Sequence, residues 1–272
     1  MTLNLLNGQA VDTIDSRHRA LAYGDGVFET CWAQAGQIRF WSDHQARLEQ
    51  GAKRLALAWG DDDRAQLNAE LATALAATDA RFWVCKILLL RQSPGRGYDF
   101  DPQHQRCDRL IQLSPYQPAA WQLDAGALVR SPIPASINPA LAGIKHLNRL
   151  DSVLARQSAR AAGAHEALMA LPDGRLVEGS MSNVFIKADA QWQTPPLDQA
   201  GVNGIIRRRW LRLGDLIEAD WHLDDLPNVD AMVLGNALIG LVPVASLDGQ
   251  TLALPSSAEL ATLRNLIGLP SD

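Results

Sequence analysis

Alternation of apolar and polar positions dominates the first forty residues, where LNLLNG, GVFETCW and QIRF each read as a short strand, the last after a turn at Gly36. The period then lengthens. Leu48, Ala52, Leu55 and Ala56 share one side of a predicted helix, and Ser42 with Gln45 three residues later predicts a capping box at its start. Leu67, Leu71 and Leu75 mark a second helix from about Arg64. RFWVCKILLL returns to an extended pattern, with CDRLIQL as its candidate partner strand.

Prolines then recur at Pro115, Pro118, Pro132 and Pro134, restricting the chain and removing backbone donors. The first part of this stretch is the expected domain boundary. Beyond it follow an extended piece at Ala127–Arg130 and a helix from Leu147 to about Ala161. A hairpin turn at Pro172-Asp173-Gly174 comes next, then a helix near Ile205–Leu213, a strand near Ala231–Gly235 and a terminal helix near Ala258–Leu266. Strands neither interleave evenly with long helices nor form a pure meander, so the expected class is α+β.

Composition narrows the partners. With 272 residues, 47% of them apolar, the chain can fill one large or two ordinary cores. The net charge of -5 arises from 25 basic and 30 acidic residues spread along the length, which leaves only Arg207, Arg208 and Arg209 as a local basic run; no nucleic-acid partner is expected. The opening MTLNLLNGQAVD has no basic or sustained apolar region, and the apolar run Trp83–Leu90 is interrupted by Lys86, so neither export nor membrane insertion is expected and the location should be cytoplasmic. Three cysteines without a CxxC pair, and six histidines without an HExxH pair, argue against a disulfide framework or a metal site. No GxSxG elbow, Walker loop or GxGxxG fingerprint is present.

Four clusters could carry chemistry. Gly24-Asp25-Gly26 reads as a turn whose glycines take unusual backbone angles. Lys145, in GIKHLNRLDSVLARQ, sits at the mouth of a predicted helix: there it is either a solvated amine or, if crowded by apolar walls or a second cation, a neutral nucleophile and base, with Asn148 and Arg149 about one turn on. Glu178, in VEGSMSNVF, is a candidate buried carboxylate that would need a cationic partner, either a protonated ring nitrogen or an arginine. Gly201, Asn203 and Gly204 lead into a helix whose first-turn N–H groups, at Ile205 and Ile206, can face an anion.

Taken in order, GDGVFET, SDHQARL, GIKHLNRLDSVLARQ, VEGSMSNVF, TPPLDQAGVNGIIRR and GNALIGLVPV resemble the fold-type IV pyridoxal-phosphate enzymes, and among them the aminodeoxychorismate lyases. Branched-chain and D-amino-acid aminotransferases share the same frame. The resemblance implies a smaller N-terminal α/β domain at 1–114, a linker at 115–126 and a larger domain at 127–272 that carries the cofactor lysine. By the same resemblance Lys145 holds pyridoxal 5′-phosphate and is the catalytic base, Glu178 faces the pyridine nitrogen, and Arg47, Ile205, Ile206 and Asn236 belong to the phosphate. Asn148 and Arg149 are candidates for the ring oxygen or the substrate. The implied reaction is elimination of pyruvate from 4-amino-4-deoxychorismate to give 4-aminobenzoate for folate biosynthesis, in a homodimer; transamination of D- or branched-chain amino acids is the alternative.

Overall fold

The computed structural model describes residues 2–76, 78–79 and 81–269. The chain divides into two compact units: one runs to Gln117 and also takes Ile144–Asn148, and the other holds Pro118–Gly143 and everything from Arg149 onward. The main division falls inside the proline-bearing stretch. A single cut does not describe it, because the five residues around Lys145 pack with the first unit while both their flanks belong to the second.

In chain order the first unit comprises β1 (Leu3–Leu6), β2 (Gln9–Ala10), α1 (Arg19–Tyr23), β3 (Gly26–Gln34), β4 (Gln37–Ile38), α2 (Trp41–Arg54), α3 (Asp61–Ala76), β5 (Trp83–Gln92) and β6 (Arg106–Pro115). Its strands form one antiparallel sheet in the order β2-β1-β6-β5-β3-β4. Period-2 patterning assigns the faces. Val27, Cys31, Ala33, Cys85, Ile87, Leu89, Ile111 and Leu113 point to a core completed by Leu48 and Ala52 of α2 and Leu67, Leu71 and Leu75 of α3. Phe28, Thr30, Trp32 and Lys86 lie on the opposite, half-buried face. The expected capping box is not formed. Phe40, with φ of 58°, is the N-cap of α2, and its carbonyl receives the N–H groups of both Asp43 and His44, so Ser42 already lies within the first turn.

The second unit comprises α4 (Ala120–Leu123), β7 (Gly126–Arg130), α5 (Leu150–Ala161), β8 (Glu166–Ala170), β9 (Leu176–Gly179), β10 (Asn183–Ala188), β11 (Gln191–Thr194), α6 (Ile205–Leu213), β12 (Leu216–Glu218), a 3-10 turn at Leu223–Asn228, β13 (Ala231–Asn236), β14 (Gly240–Leu247), β15 (Gln250–Thr251) and α7 (Ser257–Leu266). Eight strands run β12-β11-β10-β13-β14-β7-β8-β9, with β15 added to β14. The sheet is mixed, since β14 and β7, β7 and β8, and β11 and β12 pair in parallel. Both faces of β10 are covered, as its unbroken buried run at Asn183–Ile186 requires. Val184 and Ile186 join Leu128, Leu168, Met232, Leu234 and Val244 on one side. Phe185 meets Trp210 of α6 on the other, with ring centroids 4.9 Å apart.

Buried charges tie the first unit together at the GDG turn. Asp25 accepts from Arg19 Nε at 3.0 Å and Arg91 Nε at 2.9 Å, and both arginines are buried. Arg91 spends its remaining donors on the carbonyls of Leu55 and Ala56 and on Gln105, which fixes the end of α2 against β5. Removing the carboxylate leaves two guanidinium groups uncompensated. Asp25→Ala is therefore expected to cost about 3–5 kcal/mol in urea unfolding, and a loss below about 1 kcal/mol would show that the pairing is not stabilising.

Candidate active site

Lys145 is placed by main-chain pairing. The N–H of Phe28 donates to the Lys145 carbonyl at 2.9 Å, the N–H of Leu147 donates to the Gly26 carbonyl at 3.1 Å, and Val27 and His146 form an antiparallel bridge. The segment is thus extended at the lysine, and α5 begins at Leu150, three residues later than its apolar period predicts. Asn148 donates its side-chain amide to the Gly24 carbonyl at 3.3 Å, and Arg149 is the N-cap residue of α5. The Lys145 ammonium lies 4.3 Å from the centre of the Phe28 ring, and Lys86 reaches the same ring at 5.3 Å. One aromatic ring is therefore flanked by two cations, an apolar wall beside a second positive charge.

On the opposite face of β3 lies a buried polar network. Arg47 of α2 donates to Glu29 twice, from Nε at 2.7 Å and from Nη2 at 2.5 Å. His44, one turn earlier on α2, lies with Nδ1 2.6 Å from the same carboxylate. Burial pushes the Glu29 carboxyl up, but the Arg47 charge and the bonds from Arg47 and His44 outweigh it and hold the group at about 2. Burial, together with the charges of Arg47 and Lys145, lowers His44 against the raising effect of Glu29. The neutral ring donates from Nδ1, leaving Nε2 buried with no hydrogen-bond partner. Glu29, Cys31 and His44 each bring a ligand-type atom within 4.8 Å of the others. Two features oppose a cation there: Arg47 already covers both carboxylate oxygens, and burial drives the Cys31 thiol well above its usual range.

The second unit gathers the other anticipated residues. Glu178, the penultimate residue of β9, is buried, and its Oε2 accepts from the Val202 N–H at 2.9 Å and from the Asn183 amide at 3.3 Å. In α6 the first intrahelical bond is from Arg208 N–H to the Gly204 carbonyl, so the N–H groups of Ile205 and Ile206 have no acceptor within the helix. The buried Arg207 secures that end of the helix through Asn203 Oδ1 at 3.0 Å and the Pro195 carbonyl at 2.9 Å. Asn236 folds a tight turn, accepting from the N–H groups of Leu238 and Ile239 and donating to the Met181 carbonyl at 2.9 Å. The Met181 loop is shaped in turn by Glu166, fully buried, which accepts from the main chain at Ala167, Ser180 and Met181 and from the hydroxyls of Ser180 and Ser182.

The sequence alone did not single out Glu29, His44, Lys86, Asn183 or Glu166 for these contacts. For Lys86 and Glu29 a signal existed, a charge inside an otherwise apolar strand, whose placement on one sheet face or the other follows from parity. Among the described residues no helix is long and apolar enough to cross a membrane.

Comparison with known proteins places these features in a family. A family model described as amino-transferase class IV matches residues 26–247. An aminodeoxychorismate lyase of Vibrio harveyi is 29% identical over 248 residues, covering 89% of this chain and 90% of its own. A candidate branched-chain-amino-acid aminotransferase of Methanocaldococcus jannaschii is also 29% identical, over 261 residues, with 91% and 88% covered. The crystal structure of 4-amino-4-deoxychorismate lyase from Pseudomonas aeruginosa superposes with a TM-score of 0.85 at 34% identity, covering 97% of this chain and 98% of that one.

The Glu29 network sets an acid limit on stability. Glu29 titrates lower when folded than its ordinary 4.5, so its stabilisation is complete above that pH and is lost as the pH falls from 4.5 toward 2. His44, lowered from 6.5, adds a loss that begins as the pH drops below that value, because the unfolded chain binds the proton first. Urea midpoints measured from pH 7 to 3 should fall accordingly. Glu29→Gln should be about 3 kcal/mol less stable at pH 7, and its decline below pH 4.5 should be shallower; a parallel decline would assign the acid loss elsewhere.

Proposed function

The chain belongs to the class IV amino-transferase family, with its fold-type IV α+β architecture, and on that premise we propose that it is a 4-amino-4-deoxychorismate lyase forming 4-aminobenzoate and pyruvate for folate biosynthesis. The observation that carries this reading is the 34% identity to the Pseudomonas aeruginosa lyase across nearly the full length of both chains. IKHLNRL around the lysine and NALIGLVPV near Asn236 also look more like these lyases than like transaminases.

Its cofactor is pyridoxal 5′-phosphate, and the residues present fit that group. An amine beside an aromatic wall, a buried carboxylate and a helix N-terminus with unspent N–H groups are the donor set that an aldehyde, a ring nitrogen and a phosphate call for. Lys145 is assigned to hold the cofactor, Glu178 to its ring nitrogen, and Ile205, Ile206, Arg47 and Asn236 to its phosphate. When bound, the cofactor supplies an electron sink for the substrate carbon. Lys145 removes the proton from the amine-bearing ring carbon of the substrate, enolpyruvate departs from the neighbouring carbon, and the product ring becomes aromatic, which makes the elimination one-way. Glu178 favours the protonated ring nitrogen by its charge. Lys86 offers a second positive charge suited to a substrate carboxylate.

The working species is assigned as a cytoplasmic homodimer. Leu150, Val153 and Leu154, exposed along one side of α5, support contact with a second copy.

The purified protein should be yellow, and borohydride reduction should place the cofactor mass on Lys145 in peptide maps; a stoichiometric label on Lys53, Lys86 or Lys187 would overturn that assignment. Lyase and transaminase need the same lysine, so the reaction is decided by substrate. Supplied with 4-amino-4-deoxychorismate and no keto acid, the enzyme should release 4-aminobenzoate and pyruvate in equal amounts over many turnovers. No pyruvate from that substrate, with sustained turnover only on an amino acid and keto acid pair, would make it an aminotransferase.

A further inference from the structure

Asn183 is the first residue of β10 and is buried, yet its side chain makes three hydrogen bonds to three separate groups. Its amide nitrogen donates to Glu178 Oε2 at 3.3 Å and to the Val202 carbonyl at 2.9 Å. Its oxygen accepts from the Gly204 N–H at 3.1 Å. Val202 returns the connection by donating its own N–H to Glu178. A Cβ on Gly204 would fall 2.0 Å from Asn183 Oδ1, so the approach of this side chain to the start of α6 excludes any larger residue there.

The two anchors joined in this way are the carboxylate assigned to the ring nitrogen and the helix end assigned to the phosphate. We propose that Asn183 is a positioning residue that fixes the distance between these two half-sites, so that one rigid ligand can engage both at once. The proposal rests on the pyridoxal-phosphate reading. Its energetic content is an effective concentration: binding at one end brings the other end into place only while the spacing is held. The side chain is suited to the task because an amide offers donors and an acceptor together, whereas an aspartate keeps the acceptor toward Gly204 and turns a second carboxylate oxygen toward Glu178.

The test compares wild type, Asn183→Ser and Asn183→Asp as full-length proteins stripped of cofactor, each titrated with pyridoxal phosphate, with unphosphorylated pyridoxal and with inorganic phosphate. Amide exchange at Val202 and Gly204 is followed without ligand. Asn183→Ser should bind pyridoxal phosphate about a hundredfold more weakly, while the affinities for pyridoxal and for phosphate alone each change by less than about threefold. Its Gly204 amide should exchange about tenfold faster than in wild type. Asn183→Asp should keep Gly204 protected and phosphate affinity intact while pyridoxal binding falls, which also decides the matter if the serine variant does not fold. Parallel loss of phosphate and pyridoxal-phosphate affinity in Asn183→Ser, or unchanged Gly204 exchange, would reduce Asn183 to a local support. A wild-type chain that binds no pyridoxal phosphate overturns the functional reading, whereas wild-type binding that Asn183→Ser fully retains overturns the spacing role alone.

Discussion

The pairing of residues 144–148 with the start of β3 is the constraint on which the placement of Lys145 depends. A lysine side chain is long and rotamer-rich, so its ammonium is located only as well as its backbone is. Here the carbonyl of Lys145 and the N–H of Leu147 are both committed to β3, and the bridge at Val27 and His146 sets the register. That register puts the Phe28 ring under the ammonium. It also explains the glycines of the GDG turn. A Cβ at Gly26 would lie 2.3 Å from the Leu89 carbonyl, and Gly24, with φ of 60°, would carry one 2.7 Å from Asn148 Oδ1. The turn is narrow because a third segment must fit beside it.

Around that pairing the molecule uses three different solutions for carboxylates that are buried or nearly so. Asp25 and Glu29 are matched with arginines, a choice that stabilises only while both partners remain. Glu178 takes neutral donors from Asn183 and Val202. Glu166 is surrounded by N–H and O–H groups of neutral residues and organises the loop between β9 and β10. Of these, Glu178 is the one bonded to a loop that opens a helix.

Legibility in the sequence followed locality. Helices α3, α6 and α7 were visible because their apolar period or their Gly and Ser flanks are contained in the segment itself, and β5 and β6 because their runs are long. Strand β14 was read only as a motif, and Pro243 within it disfavours a central strand. The structure tolerates it because β7 pairs with β14 only from Val244 onward, so the missing N–H leaves no gap in that ladder. The start of α5 was misjudged because Leu147 carries helical periodicity while its N–H is claimed by Gly26, about a hundred and twenty positions away. Lys145 and Glu178 stood out as charges in unusual settings. Asn183 and Glu166 did not, because an amide or carboxylate whose partners come from a different strand or loop has no local pattern.

The same division bears on specificity within the family. Two relatives of equal identity, one a lyase and one a candidate transaminase, match this chain over similar lengths. The roles proposed for Lys145, Glu178 and the start of α6 suit either chemistry. Discrimination has to come from groups that meet the substrate and not the cofactor. On the half-buried face of β3 and β5, Phe28, Thr30 and Lys86 stand at alternate positions and can change without disturbing the oppositely directed core residues Val27, Cys31, Cys85 and Ile87. A sheet whose two faces are independent in this way can vary one face over a fixed core, and a fold shared by lyases and transaminases does not by itself choose between the two reactions.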